Sequence, residues 1–240
     1  MLTRTLALVV VFAGIGSASL TCDTNLNPLG SLAGAVLGAN MTGCLTVAGG
    51  GLVSTDSTWS DFTMAWQVTQ IQNGPNSLFE YKYTFSDPAH ASDLLYVLLG
   101  LSNTCLFATK TDPPNGGTFC VYNLSDTLYQ PGSYNSAGGG NTTNNPGLPG
   151  SIWALRLDGT PGSGTLDVTF DSVRRPVWQN VYARDADVSA VYNAGFLTGV
   201  NSYFIAAPDS NVVPEPNQVA AILCLLGAAW FTLRRRQIKT

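Results

Sequence analysis

The sequence predicts an all-β body, an antiparallel β-sandwich of jelly-roll type, on three observations. Apolar and polar residues alternate with a period of two over several short segments. Clusters of Gly, Asn, Asp and Pro separate those segments. Charged residues make up only 11% of the 240-residue chain, while Gly, Ser, Thr and Asn are plentiful. Residues 20–211 form the body, enough for one domain with a real core. Residues 1–19 and 212–240 read as addresses rather than fold.

The N-terminal address comes first in the chain. Arg4 supplies a positive start, the run 6–12 is unbroken apolar, and Ser17-Ala18-Ser19 offers a small-residue cleavage site. Together these are the parts of a secretory signal peptide over 1–19. A lipoprotein signal needs a small residue before its cysteine, and Thr21 precedes Cys22. The Gly/Ala-rich stretch 29–45 is expected to form a short helix or an irregular strap.

Strands follow. Phe62, Met64, Trp66 and Val68 alternate with Thr63, Ala65, Gln67 and Thr69. Phe79, Tyr81, Tyr83 and Phe85 form an aromatic face against Leu78, Glu80, Lys82 and Thr84. Asn73-Gly74-Pro75-Asn76 supplies the turn between these two segments. The segment 94–101 is apolar on both faces, which suits a central strand or a short helix. The polar stretch 130–150, with almost no apolar residues, reads as a long exposed loop. A strand is expected over 152–158, and the Gly-rich turn 158–164 leads to Leu166, Val168 and Phe170, which alternate with Asp167, Thr169 and Asp171. Further strands are expected over 177–184 and 202–206.

Charge and cysteines narrow the function classes. Between Leu20 and Val213 six basic and fourteen acidic side chains leave a net charge of −8. An acidic body repels phosphate backbones, which argues against nucleic-acid binding. Cys224 lies in the tail, leaving Cys22, Cys44, Cys105 and Cys120 in the body. An even count in an exported chain favours disulfides, with three connectivities open. Local pairing, Cys22 with Cys44 and Cys105 with Cys120, is the expectation; the second bridge would contribute about 3 kcal/mol. With no C-x-x-C and a single histidine, His90, zinc is not expected.

No catalytic constellation emerges, and no cofactor or metal is expected. His90 has no Gly-x-Ser-x-Gly elbow beside it. The glycine-rich 159–165 lacks a phosphate-binding Lys, and Asp185-Ala186-Asp187 lacks the rest of a calcium loop. Glycoside hydrolysis needs two carboxylates across a cleft, yet Glu80 is the only glutamate of the body. Sugar binding needs exposed aromatic faces, for which Trp59, Tyr122, Tyr129, Tyr134 and Trp153 are the candidates; each also suits core packing.

The C-terminal address is the most specific signal. Val213-Pro214-Glu215-Pro216 precedes Asn217, a run from 219 to 233 that is apolar apart from Thr232, and Arg234-Arg235-Arg236. The prolines hold the chain extended, so a helix begins after them with Asn217 as its cap. A transmembrane helix is expected at about 218–233. Its apolar run, about 22 Å long, is shorter than a hydrocarbon core of roughly 30 Å, with Trp230 and the arginines placed to hold the interface.

This tail resembles the PEP-CTERM sorting domain. The resemblance implies that exosortase, a membrane-embedded cysteine transpeptidase, recognises Val213, Pro214, Glu215 and Pro216 and removes the helix, typically in Gram-negative bacteria that make exopolysaccharide. Expected partners are therefore exosortase, the membrane before processing, and exopolysaccharide. Segments 146–158, 175–178, 182–185 and 192–196 also resemble a recurring body of PEP-CTERM proteins that has no assigned activity. Ser172-Val173-Arg174-Arg175 departs from its Ser-Asp-Arg pattern; Arg174 and Arg175 are expected to be solvated. The resulting expectation is a non-enzymatic cell-surface or matrix protein. The alternatives are a polysaccharide-binding module and, less favoured, a glycan hydrolase.

Overall fold

The computed structural model describes residues 20, 22, 41–72, 78–87, 94–101, 106–107, 119–121, 124–125, 131–139, 144–160, 163–185, 189–196 and 203–208. The expected signal peptide, His90, Cys105, the 73–76 turn, the sorting motif Val213–Pro216, the tail helix and Arg234–Arg236 lie outside them. Among the described residues the protein is all-β and almost wholly antiparallel. No helix there is long and apolar enough to cross a membrane.

In chain order the strands are Met41–Thr46 (β1), Leu52–Ser54 (β2), Thr63–Gln72 (β3), Leu78–Ser86 (β4), Leu94–Gly100 (β5), Leu106–Phe107 (β6), Phe119–Val121 (β7) and Gly132–Asn135 (β8). Then follow Gly138–Gly139 (β9), Ile152–Asp158 (β10), Thr165–Ser172 (β11), Pro176–Gln179 (β12), Val181–Asp185 (β13), Ala190–Asn193 (β14) and Ile205–Pro208 (β15). One sheet has the order β1-β3-β4-β11 and another β2-β14-β13-β5-β10-β8-β9. Two small pairs remain, β12 with β15 and the parallel β6 with β7.

Period-two alternation explains the division of each strand into two faces. The inward residues Leu45, Met64, Trp66, Val68, Phe79, Tyr81, Tyr83, Phe85, Val168 and Phe170 of the four-stranded sheet join Val97, Leu99, Leu155, Leu157, Val181 and Val191 of the larger one in a single core. The expected aromatic face of β4 is its centre. Phe170 stacks on Tyr81 at 5.3 Å and on Tyr83 at 5.7 Å, and Trp66 meets Trp178 edge-on at 6.1 Å. Buried tyrosines need partners for their hydroxyls. Tyr83 donates to the Ala206 carbonyl at 2.7 Å and Tyr81 to the Arg174 carbonyl at 2.9 Å. Gly43 faces Trp66 so closely that a Cβ would strike the indole.

Several expectations are corrected. The segment 130–150 is not simply an exposed loop. It contains the hairpin β8–β9, and Tyr134, Asn145 and Leu148 are buried. The segment 177–184 is two strands in two sheets, broken at Asn180. Asn193, fully buried, holds that break: its Oδ1 accepts from Val181 N at 2.9 Å. Its Nδ2 donates to Asn180 Oδ1 at 3.1 Å and to the carbonyl of Tyr203 at 2.7 Å. Tyr203 has a φ of 110°, a conformation that L side chains rarely adopt and that Asn193 helps to pin. Arg174 is buried, because the turn 172–175 folds under Tyr81, whereas Arg175 is exposed as expected. Segment 94–101 resolves as a strand, and 41–46, the end of the expected strap, is strand β1. The turn 158–164 joins strands of different sheets.

Candidate functional site

The larger sheet carries a second cluster on the face turned away from the core: Tyr96, Leu98, Tyr134, Leu148, Ile152, Ala154, Tyr182 and Ala190. Strand register builds it. Asp158 of β10 and Arg184 of β13 flank Tyr96 of β5, and Arg156 and Tyr182 flank Leu98. The Tyr96 ring therefore lies between two cations, with the Arg156 guanidinium 4.7 Å and the Arg184 guanidinium 5.6 Å from its centroid. Guanidinium groups favour aromatic faces in this way.

Over this cluster passes the segment 144–150. Arg184 Nη1 donates to the Asn144 carbonyl at 2.9 Å and to Asn144 Oδ1 at 2.8 Å, and its Nε donates to the Asp185 carbonyl at 2.8 Å. The Tyr96 hydroxyl donates to Asn145 Oδ1 at 2.6 Å, and Tyr182 donates to the Pro146 carbonyl at 2.8 Å. Asn145 in turn donates from Nδ2 to the Asn135 carbonyl at 2.7 Å, tying the segment to β8. Leu148 fills the apolar remainder, and Tyr192 and Phe196, in T-shaped contact at 6.4 Å, pack at its border. The segment is thus a polar strap with Asn145 and Leu148 buried beneath it, Asn145 because its polar groups have partners.

Electrostatics follow from this burial. Desolvation raises the Tyr182 hydroxyl above its ordinary range, opposed by Arg184. Tyr134 is raised mainly by burial, with Arg156 pulling it down and Tyr96 and Asp158 pushing it up. Arg156 Nε pairs with Asp158 Oδ1 at 2.6 Å. Chemically the arrangement clamps a backbone: its cations meet rings, carbonyls and a carboxylate, and the Tyr96 and Tyr182 hydroxyls meet carbonyl oxygens.

The sequence candidates fall in different places. Cys22 and Cys44 are bonded, with Cα atoms 5.7 Å apart. Cys120 is in β7, and its expected partner Cys105 lies outside the described residues. Of the aromatic candidates, Trp59 and Tyr134 are buried and Trp153 is partly buried against the core. Tyr122 and Tyr129 lie outside the described residues. Glu80 pairs with Lys82 at 2.9 Å. Asp185 is buried and accepts from Ser189 N at 3.0 Å, while Asp187 lies outside the described residues. Among the described residues no group of three or more His, Cys, Asp or Glu is placed to hold a metal ion.

Sequence reasoning missed the arginine–tyrosine cluster itself. Its signal was available: Arg156 and Arg184 each interrupt an otherwise apolar strand at the same parity as the outward residues. No protein-family model, curated protein or solved structure matches the chain.

Proposed function

We propose that the body is a β-sandwich acting as a non-enzymatic component of the cell surface or extracellular matrix, exported by its leader and sorted by its PEP-CTERM-like tail. The observation that carries this reading is the tail itself: a Val-Pro-Glu-Pro motif, a short apolar run and an arginine cluster in sequence. The Cys22–Cys44 bridge supports it, since disulfides persist in oxidising compartments outside the cytoplasm. The shared core between the two sheets supports the sandwich. The clamp supports a mechanical role, because its arginine and tyrosine side chains hold the protein's own backbone. Exosortase would act on the tail, the membrane would hold the precursor, and exopolysaccharide is the matrix partner of this reading.

The test is the intact mass of the protein recovered from the envelope and medium of its native host, beside a Pro214→Ala, Pro216→Ala variant. Loss of both ends in the wild type, with the variant keeping its tail in the membrane, is the expected result. A wild-type mass extending to Thr240 would make the tail a plain anchor and overturn the sorting reading.

A further inference from the structure

A second crossing lies on the outward face of the four-stranded sheet. Cys44 of β1 stands opposite Ala65 of β3, Ala65 opposite Thr84 of β4, and Thr84 opposite Asp167 of β11. The four residues form one row across the sheet, on the face turned away from the aromatic core. At one end Cys22 is bonded to Cys44. Two residues earlier in the chain, Leu20 N donates to Thr84 Oγ1 at 2.9 Å, and that hydroxyl donates to Asp167 Oδ1 at 2.5 Å.

The geometry is self-consistent. Strands about 4.8 Å apart place β4 roughly 10 Å from β1. Two extended residue steps reach about 7 Å, and the disulfide spans the rest. Ala65 stands between Cys44 and Thr84 in this row and is only 2% exposed, although it faces away from the core.

We propose that this row is the docking site for the N-terminus created when the leader is removed between Ser19 and Leu20. The proposal rests on the leader reading but concerns a site that this reading does not assign. Hydrolysis of that peptide bond adds hydroxide to the Ser19 carbonyl carbon and a proton to the Leu20 nitrogen, which takes a second proton at neutral pH. The nitrogen already sits on Thr84, so the new ammonium forms in place. One N–H keeps the Thr84 hydroxyl, and that hydroxyl connects the positive charge to the Asp167 carboxylate. An amide hydrogen bond becomes a charge-assisted relay. Among the described residues Lys82, Glu80 and Asp171 are the other charged groups on this face, and Lys82 pairs with Glu80. With Cys22 fixed covalently, an added or missing residue would take the ammonium off the row. The site therefore measures where the leader is cut.

Two measurements test this separately. The chain from Leu20 to its C-terminus, released in detergent by cutting a fusion in vitro, is titrated at its α-amino group by competitive acylation. Expected is a pKa raised by about one unit over the usual 7.7–8.0, hence acylation about sevenfold slower at pH 7.5. Asp167→Asn and Thr84→Val should lose the shift, Thr84→Ser should keep most of it, and a one-residue extension before Leu20 should lose it. An unshifted amine, equal in wild type and Asp167→Asn, overturns the site. N-terminal sequencing of the protein exported by its native host is expected to begin at Leu20; a different start overturns the proposal through the leader reading instead.

Discussion

The two sheets solve the same problem on their outward faces by opposite means. On the four-stranded sheet, the segment at Leu20 and Cys22 is tied down by a covalent bond, and Leu20 N donates to the Thr84 hydroxyl. On the seven-stranded sheet, the strap 144–150 has no covalent tie and is held by arginine, tyrosine and asparagine side chains bonded to its backbone. The first tether depends on redox state and hardly on side-chain placement. The second depends on the register of two strands, β5 and β13, because Tyr96, Arg184 and Tyr182 must arrive together. A polar segment can therefore be held against a sheet by side-chain bonds alone, provided the strands beneath it are fixed first.

Variants can break this contrast or sharpen it. Replacing Cys22 and Cys44 together by alanine should cost about 3 kcal/mol in chemical denaturation, from the closed loop of that size. Hydrogen exchange at 144–148 should stay as it was. Arg184→Ala should cost about 2 kcal/mol, since it removes the charge-assisted bonds of a buried guanidinium to Asn144 and to the Asp185 carbonyl. Here the exchange pattern should reverse, with faster exchange at 144–148 and the amides of β1 and β4 unaffected. If both variants loosen both faces alike, the faces are not independent and the contrast fails.

Alkali distinguishes the faces from the core between them. Burial raises Tyr83 in the core and Tyr182 under the strap, so each stays protonated in the folded state when the unfolded chain has ionised. Their contribution is fully present below about pH 10 and is lost as pH rises toward their folded values, by up to about 1.4 kcal/mol per pH unit for each. Tyr182→Phe should flatten part of that slope in pH-dependent denaturation while Tyr83 keeps the remainder. A profile unchanged by either phenylalanine would rule the assignment out. The smallest effect expected is for Tyr96→Phe, about 1 kcal/mol for the lost bond to Asn145, with the ring still between its two arginines; thermal melts measure it.

How much of this was legible follows from what each element rests on. β3, β4 and β11 declare themselves by alternation, because one face meets the aromatic core and the other does not. The split between β12 and β13 was not legible. It depends on Asn193, which sits more than ten residues from Asn180 and acts only once both are folded. Composition misled at 130–150, where few apolar residues suggested solvent but Asn145 is buried through its own hydrogen bonds. Arg174 misled for the same reason: charge argues for exposure, and the turn under Tyr81 overrides it. The Cys22–Cys44 pairing was readable from local spacing, whereas the row it anchors needed the register of four strands.

The pairing of β2 with β14 has a consequence in time. Leu52 to Ser54 find their partners only at Ala190 to Asn193, and the bonds between Thr55 and Ala190 close a loop of 135 residues. Topologies of such long range fold slowly, in milliseconds to seconds, since the entropy of closure must be met before the contacts form. For a chain synthesised N-terminus first, the larger sheet cannot be completed until nearly the whole body has emerged. Until then β2 waits as an unpaired edge.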